Sequence, residues 1–232
     1  MWAHRLADTL KILYPGIQIP EKKYDCLLTI DLDQPFAYRG KGLLRNLAGL
    51  LVDMIKGRDP GRRFICMAGR GKDPYDTYDY INATADKYNC PVIYFYTTGK
   101  RSSFDKNVDP RRRCYKRLIR RLSKSHGTGL HTSYRSDNNE SLILKEKRRL
   151  EQVSRKQTDK VRKHYLLLTL PLTYQVLEKL GFKEDYTLGY IREPGFRAGI
   201  ARPFRFYDLS KEEVSSLVLV PFQYMEGTYQ KY

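Results

Sequence analysis

Two carboxylates and an imidazole that follow short apolar runs are the groups from which a metal-assisted hydrolase is built. This sequence holds them in two places. Asp31-Leu32-Asp33 comes directly after Cys26-Leu27-Leu28-Thr29-Ile30, and His131 stands within Gly129-Leu130-His131-Thr132-Ser133-Tyr134-Arg135-Ser136. Asp31 and Asp33 are two positions apart, so on an extended strand end they point to the same side. Carboxylates placed together repel unless a cation or a shared proton relieves them, which suits one as a metal ligand and the other as a general base. The competing role for such a pair is to cap turns.

His131 follows Gly127-Thr128-Gly129, small residues that let the backbone approach something closely. Ser133 and Ser136 either support the histidine, bind substrate hydroxyls or stabilise a turn. Arg162-Lys163-His164 puts a guanidinium and a second imidazole two positions apart. An arginine beside a carboxylate lowers its pKa and orients it; otherwise Arg162 belongs to the basic face before it. His126 reads as a helix C-terminal residue, and His4 has no expected role. In the acidic, tyrosine-rich stretch from Asp73 to Asp79, Tyr75 or Asp76 lines a substrate groove, or Asp76 or Thr77 caps a helix. Phe196-Arg197-Ala198-Gly199, followed by Arg202-Pro203-Phe204, either forms a sugar or base platform or packs as an ordinary loop.

The elements that must position these groups are strands and helices in alternation. The patterns predict a helix from Trp2 to Leu13, a buried strand over Tyr24–Ile30 and a helix over Leu43–Lys56, whose leucines, Met54 and Ile55 recur at helical spacing. A Gly/Arg/Pro-rich connection spans 57–74, and a helix runs from Asp76-Thr77 to Tyr88. Pro91–Tyr96 is a second strand, 97–109 a polar loop, and Pro110–Ser125 a basic helix with Leu118, Ile119 and Leu122 inward. Thr128–His131 is a third strand, Leu142–Val153 a helix, Lys160–His164 a short strand and Leu172–Leu180 a helix ended by Gly181. Tyr186–Tyr190 and Leu217–Val220 complete the strands. Such alternation predicts a parallel α/β arrangement, open or closed into a barrel, with functional groups at the carboxyl ends of strands.

The bulk properties set limits. With 232 residues, 41% hydrophobic and 12% aromatic including 19 Tyr, the chain can bury a core and is not disordered. No apolar run approaches the roughly 20 residues of a membrane span, and no signal peptide is evident, so a cytoplasmic location is expected, with association to the envelope the alternative. Cys26, Cys66, Cys90 and Cys114 show no paired spacing and read as free thiols. The net charge is +17. It concentrates in Arg111–Lys124 and in a second cluster from Lys145 to Lys163. A basic surface of this kind binds nucleic acid, an anionic membrane face or a polyanionic glycan, or is simply a solvated helix face.

The order Thr29-Ile30-Asp31-Leu32-Asp33, Asp73-Pro74-Tyr75-Asp76-Thr77, then Gly129 to Ser136, resembles the polysaccharide deacetylase family, in a divergent bacterial branch of the NodB-homology carbohydrate esterases. The resemblance continues through Arg162-Lys163-His164-Tyr165-Leu166, Asp185 to Tyr190, Gly195 to Gly199, and Pro221-Phe222 with Met225-Glu226-Gly227-Thr228. It covers about 25–230, leaving 1–24 as a lead-in segment and 25–232 as the catalytic domain. It implies a distorted (β/α) barrel and a divalent metal, most often zinc (Zn2+), that together hydrolyse acetyl groups on an acetylated polysaccharide or glycan. Carried over by position, Asp31 resembles the catalytic base, Arg162 the arginine that orients it, and Asp33 and His131 metal ligands. Tyr186 resembles a groove-lining residue, and Tyr75, Asp76, Ser133, Tyr134 and Arg197 are the other substrate-binding candidates.

Two positions depart from the pattern. The usual second motif is H-x-x-x-H, but Arg135 stands four after His131; His164, where the third motif has a proline, is placed to supply that imidazole. The last motif's histidine, a general acid, has no counterpart after His164, so the chain is expected to stop before that strand or to have lost it. The alternatives are a catalytically degenerate glycan-binding domain on the same fold, and a basic polyanion- or nucleic-acid-binding module; no recognisable nucleic-acid motif supports the last, and nucleic acid is not the expected partner.

Overall fold

Val92–Thr97 is apolar on both of its faces, and every residue of this strand is buried, as in a parallel sheet covered on both sides. It is β2 in a computed structural model that describes residues 2–19, 24–57 and 59–229. The strands are β1 (Leu28–Leu32), β2, β3 (Gly127–Thr132), β4 (Lys160–Lys163), β5 (Glu184–Asp185), β6 (Phe204–Asp208) and β7 (Glu213–Leu219). The helices are α1 (Trp2–Leu13), α2 (Leu43–Ile55), α3 (Pro60–Met67), α4 (Tyr78–Lys87), α5 (Arg113–Ser125), α6 (Glu140–Ser154), α7 (Leu172–Lys179) and α8 (Glu226–Tyr229). The sheet runs β1-β2-β3-β4-β5-β7-β6. All neighbours are parallel except the antiparallel β6–β7 pair. The expected (β/α) sheet of distorted-barrel type is therefore present, but it is not closed, since β1 and β6 form its two edges.

The register explains the placement of the site. Asp31 lies beside Phe95, Phe95 beside Gly129, Thr97 beside His131, and His131 beside Arg162. Side chains alternate across a sheet, so these residues share one face. That face carries only a small apolar cluster of Ile93, Phe95 and Tyr186 with Val220. The opposite face, with Leu32, Tyr94, Tyr96, Leu130 and Val161, joins the main core under the helices, where Tyr115, Ile119, Ile143, Leu150 and Leu177 are fully buried. Leu118, Ile119 and Leu122 of α5 point inward as their spacing requires. A β-carbon on Gly129 would collide with the Phe95 ring, so the small residue before His131 makes room for an aromatic neighbour.

Several expectations need correction. The first strand begins and ends later than 24–30, which puts Asp31 within β1 rather than after it. The 57–74 connection contains α3, with Pro60 at its first turn and the Asp59 side chain accepting from the Gly61 amide at 2.8 Å. Tyr186–Tyr190 is not a strand; pairing stops at Asp185, whose carboxylate accepts from the amide and hydroxyl of Thr187. β6 lies outside the expected strands, because it is held by its antiparallel partner rather than by its own pattern. The second basic cluster is not a continuous exposed face: Arg162 and Lys163 are buried in β4. Residues 20–23 of the lead-in segment lie outside the described residues.

Candidate metal centre

β1, β3 and β4 deliver three donors to one point at their carboxyl ends. Asp33, just after β1, has its Oδ1 3.2 Å from Nε2 of His131 on β3 and 3.6 Å from Nε2 of His164, which follows β4. The three ligand atoms lie within 4.8 Å of one another. His131 is buried, His164 nearly so, and half of the Asp33 side chain is exposed, so the group is rigid on one side and open on the other.

The remaining imidazole nitrogens fix which nitrogen faces Asp33. Nδ1 of His131 lies 3.0 Å from the carbonyl of Arg162, and Nδ1 of His164 lies 2.8 Å from Oδ1 of Asp105. A carbonyl and a carboxylate only accept, so both Nδ1 atoms donate and both Nε2 atoms turn to Asp33. This is the tautomer and outer-shell support that metal-ligating histidines use. Zinc bonds of about 2.0–2.1 Å set tetrahedral edges of roughly 3.3 Å, close to the two separations from Asp33 to the histidines. The donor set fits a divalent cation, zinc among them. Burial raises the Asp33 carboxyl, but the hydrogen bonds and charges of His131 and His164 outweigh it and hold the group well below the usual carboxylate range. Burial lowers His131, and the charge of Asp31 followed by the contact with Asp33 more than reverses it, so His131 is raised.

Asp31 stands next to this group under the control of Arg162. The buried guanidinium donates from Nη1 to Asp31 at 3.0 Å, from Nη2 to the Thr29 hydroxyl at 2.9 Å and from Nε to the Tyr186 carbonyl at 2.9 Å. It also lies over the Phe95 ring at 4.7 Å. With each of its three nitrogens bonded, the guanidinium is fixed in place and holds the Asp31 carboxylate toward it.

Sequence reasoning missed Asp105 and Glu146. Asp105, fully buried in the loop after β2, accepts from His164, from the Tyr134 amide at 2.9 Å and from the Ser102 hydroxyl at 2.7 Å. It ties together the ends of β2, β3 and β4. Glu146 of α6 accepts from the Ser133 amide and hydroxyl and from Ser136; burial raises its pKa against those hydrogen bonds. Ser133 is buried, with its hydroxyl directed to Glu146. Only the three-dimensional contacts reveal either acid.

The other candidates are more scattered. A cleft of about 250 Å³ beside the donors is lined by Asp33, Gln34, Thr97, Phe104, Asp105, Lys106, Asn107, His164 and Tyr165. Tyr134 stacks on Phe104 at 4.2 Å, and Tyr165 packs against both and against His164. Tyr165 adopts a left-handed backbone, φ 55°, an uncommon conformation for an aromatic residue. Tyr186 is buried and its hydroxyl bonds to Glu184. Tyr75 is exposed, Asp76 pairs with Arg121 at 3.1 Å, and Arg197 lies exposed in the loop before β6; these three do not line the cleft. Asp76 and Thr77 make no helix-capping bond; Thr77 holds the cap position without one. The buried carboxylate of that stretch is Asp73, which accepts from the amides of Ala37, Tyr38 and Arg39.

Among solved structures, a Mycobacterium smegmatis protein described as a polysaccharide deacetylase matches this chain with a TM-score of 0.52 at 15% identity, over 89% of this chain and 62% of that one. The fold is similar to that of a polysaccharide deacetylase. The chain spans less than two thirds of that protein's length. IcaB of Ammonifex degensii aligns at 16% identity and a TM-score of 0.40, over 72% of this chain and 85% of its own. The Streptococcus pyogenes deacetylase PplD, solved with acetate, aligns at 11% identity and a TM-score of 0.43, over 95% and 72%. No protein-family model matches the sequence, and no curated protein matches it. No helix among the described residues is long and apolar enough to cross a membrane.

Proposed function

We propose that this chain hydrolyses acetyl groups, N-acetyl in the first instance, on a polysaccharide or related glycan, with a divalent cation, zinc, held by Asp33, His131 and His164. The observation that carries the reading is the carboxylate Asp31, locked by Arg162, next to a separate Asp-His-His donor set at the strand ends. A cation held by these three residues would supply Lewis acidity, to polarise the acyl carbonyl and acidify a bound water. Asp31 accepts the proton of the attacking water and returns it to the departing nitrogen or oxygen as the acyl bond breaks. Arg162 keeps Asp31 aimed, so no reorientation is needed when the proton moves. Asp105 holds His164 in the tautomer with Nε2 toward the donor set. The stacked Phe104 and Tyr134, with Tyr165, offer apolar ring faces to a sugar beside the cleft.

The test is acetate release from acetylated oligosaccharides by zinc-reconstituted protein, compared with Asp31→Asn. Release by the parent, cut roughly 100-fold or more in the variant, supports the reading. Metal-loaded protein that binds the oligosaccharide without releasing acetate overturns it in favour of a glycan-binding domain.

A further inference from the structure

α2 is oriented inside out. Its most buried residues are polar: Asn46 and Asp53, 4% and 5% exposed and one heptad apart on one face. Arg63 of α3 binds both, with Nε 2.8 Å and Nη2 2.7 Å from Asp53 and Nη1 3.4 Å from Asn46. The guanidinium also stacks on Tyr38 at 4.5 Å. A β-carbon on Gly49 would collide with this guanidinium, so the glycine lets Arg63 cross the helix. The polar face is thus the anchored one. The apolar stripe Leu44, Leu47, Leu51 and Ile55 points outward at 85%, 52%, 62% and 84% exposure, and Phe64 and Ile65 of α3 are exposed beside it in sequence, at 66% and 49%. An exposed apolar stripe of this kind calls for cover.

The charges around it select the cover. Lys56, Arg62, Arg70 and Lys72 are exposed in and around this pair of helices. Between 43 and 72 the carboxylates are Asp53, spent on Arg63, and Asp59, spent on the α3 cap. α1 repeats the combination, with Trp2, Leu6, Ile12 and Leu13 exposed next to Arg5 and Lys11. Apolar helix faces with cationic flanks and a tryptophan are the pattern of helices that lie in a membrane interface, and anionic headgroups attract such cations. A second copy, itself carrying +17, is repelled rather than attracted.

We propose that the apolar face of α2 and α3 docks this protein onto an anionic membrane surface. The full chain is to be sedimented with vesicles of phosphatidylcholine alone and of equal parts phosphatidylcholine and phosphatidylglycerol. The expected result is binding to the mixed vesicles, weakened by salt and weakened about 100-fold in Leu51→Glu/Ile55→Glu, whose melting temperature stays that of the parent because both positions are exposed. Should that variant fail to fold, Phe64→Trp in a Trp2→Phe background gives the second readout: its emission shifts to the blue with mixed vesicles only. Equal binding to neutral vesicles, binding undiminished in the folded variant, or an unshifted emission from the Phe64→Trp protein overturns the proposal. So does a vesicle-free dimer broken by the same substitutions, which assigns the face to a second copy. Absence of vesicle binding by a monomer overturns it in favour of an acidic protein partner.

Discussion

Asp105 holds Nδ1 of His164 at 2.8 Å and so decides what the other nitrogen of that ring can do. The carboxylate is fully buried and accepts from three elements at once. Asp105→Asn keeps the shape and removes the charge. Metal affinity, measured by competition with a chelator, is expected to fall about 10–100-fold, with the melting profile of the metal-free protein little changed.

His131→Ala removes the central donor. Elemental analysis of the purified proteins is expected to give one divalent ion per chain for the parent and none for the variant. Retention of the ion by the variant places the site elsewhere.

Arg162→Lys leaves a cation but not the fork that reaches Asp31, Thr29 and Tyr186 together. Acetate release is expected to drop about 100-fold or more with metal content unchanged. That split separates orientation of the base from assembly of the donor set, because the Arg162 carbonyl that accepts from His131 belongs to the backbone and survives the substitution.

Asp185 gives a pH dependence of stability. Burial raises its carboxyl to about 6, against the opposing Thr187 hydrogen bonds and the charges of Arg162 and Lys163. The unfolded chain releases this proton near 3.8 and the folded chain near 6. The contribution is therefore complete below the lower value and is lost as pH rises through the upper one, by about 3 kcal/mol in all. Denaturant unfolding of Asp185→Asn across that interval is expected to show a flatter slope than the parent.

Gly129→Ala drives a methyl into the Phe95 ring on the face that carries His131. A loss of about 1–3 kcal/mol is expected, and Phe95→Leu in the same chain restores part of it, as read by thermal melting.

The strands that carry the site are legible in the sequence because each announces itself locally. β2 is apolar up to its closing Thr97, the carboxylates follow an apolar run, and glycines mark the crowded approach to His131. Arg162 and His164 are legible as a pair two positions apart on an extended segment. Glu146 is not, since it sits in Lys145-Glu146-Lys147, which reads as a solvated helix face; only the turn at Ser133, packed under α6, turns it inward. Asp105 lies in a polar loop with no period to read. α2 shows the other limit: helical spacing identifies an apolar stripe but does not say which side faces the core. The anchoring bond to Arg63, supplied by a helix absent from the expected elements, reverses it.

The donors on β1, β3 and β4 are distant in the chain and meet only once the sheet is assembled. The unfolded chain therefore offers no matching site, and an ion bound there would add directly to folding free energy, about 2.7 kcal/mol at a hundredfold excess over Kd. β1 is an edge strand with only β2 to hold it. An ion gripping Asp33 would act as a clasp on that edge, so chelation should loosen the first strand before the rest of the sheet, and amide hydrogen exchange in β1 would speed up ahead of β3.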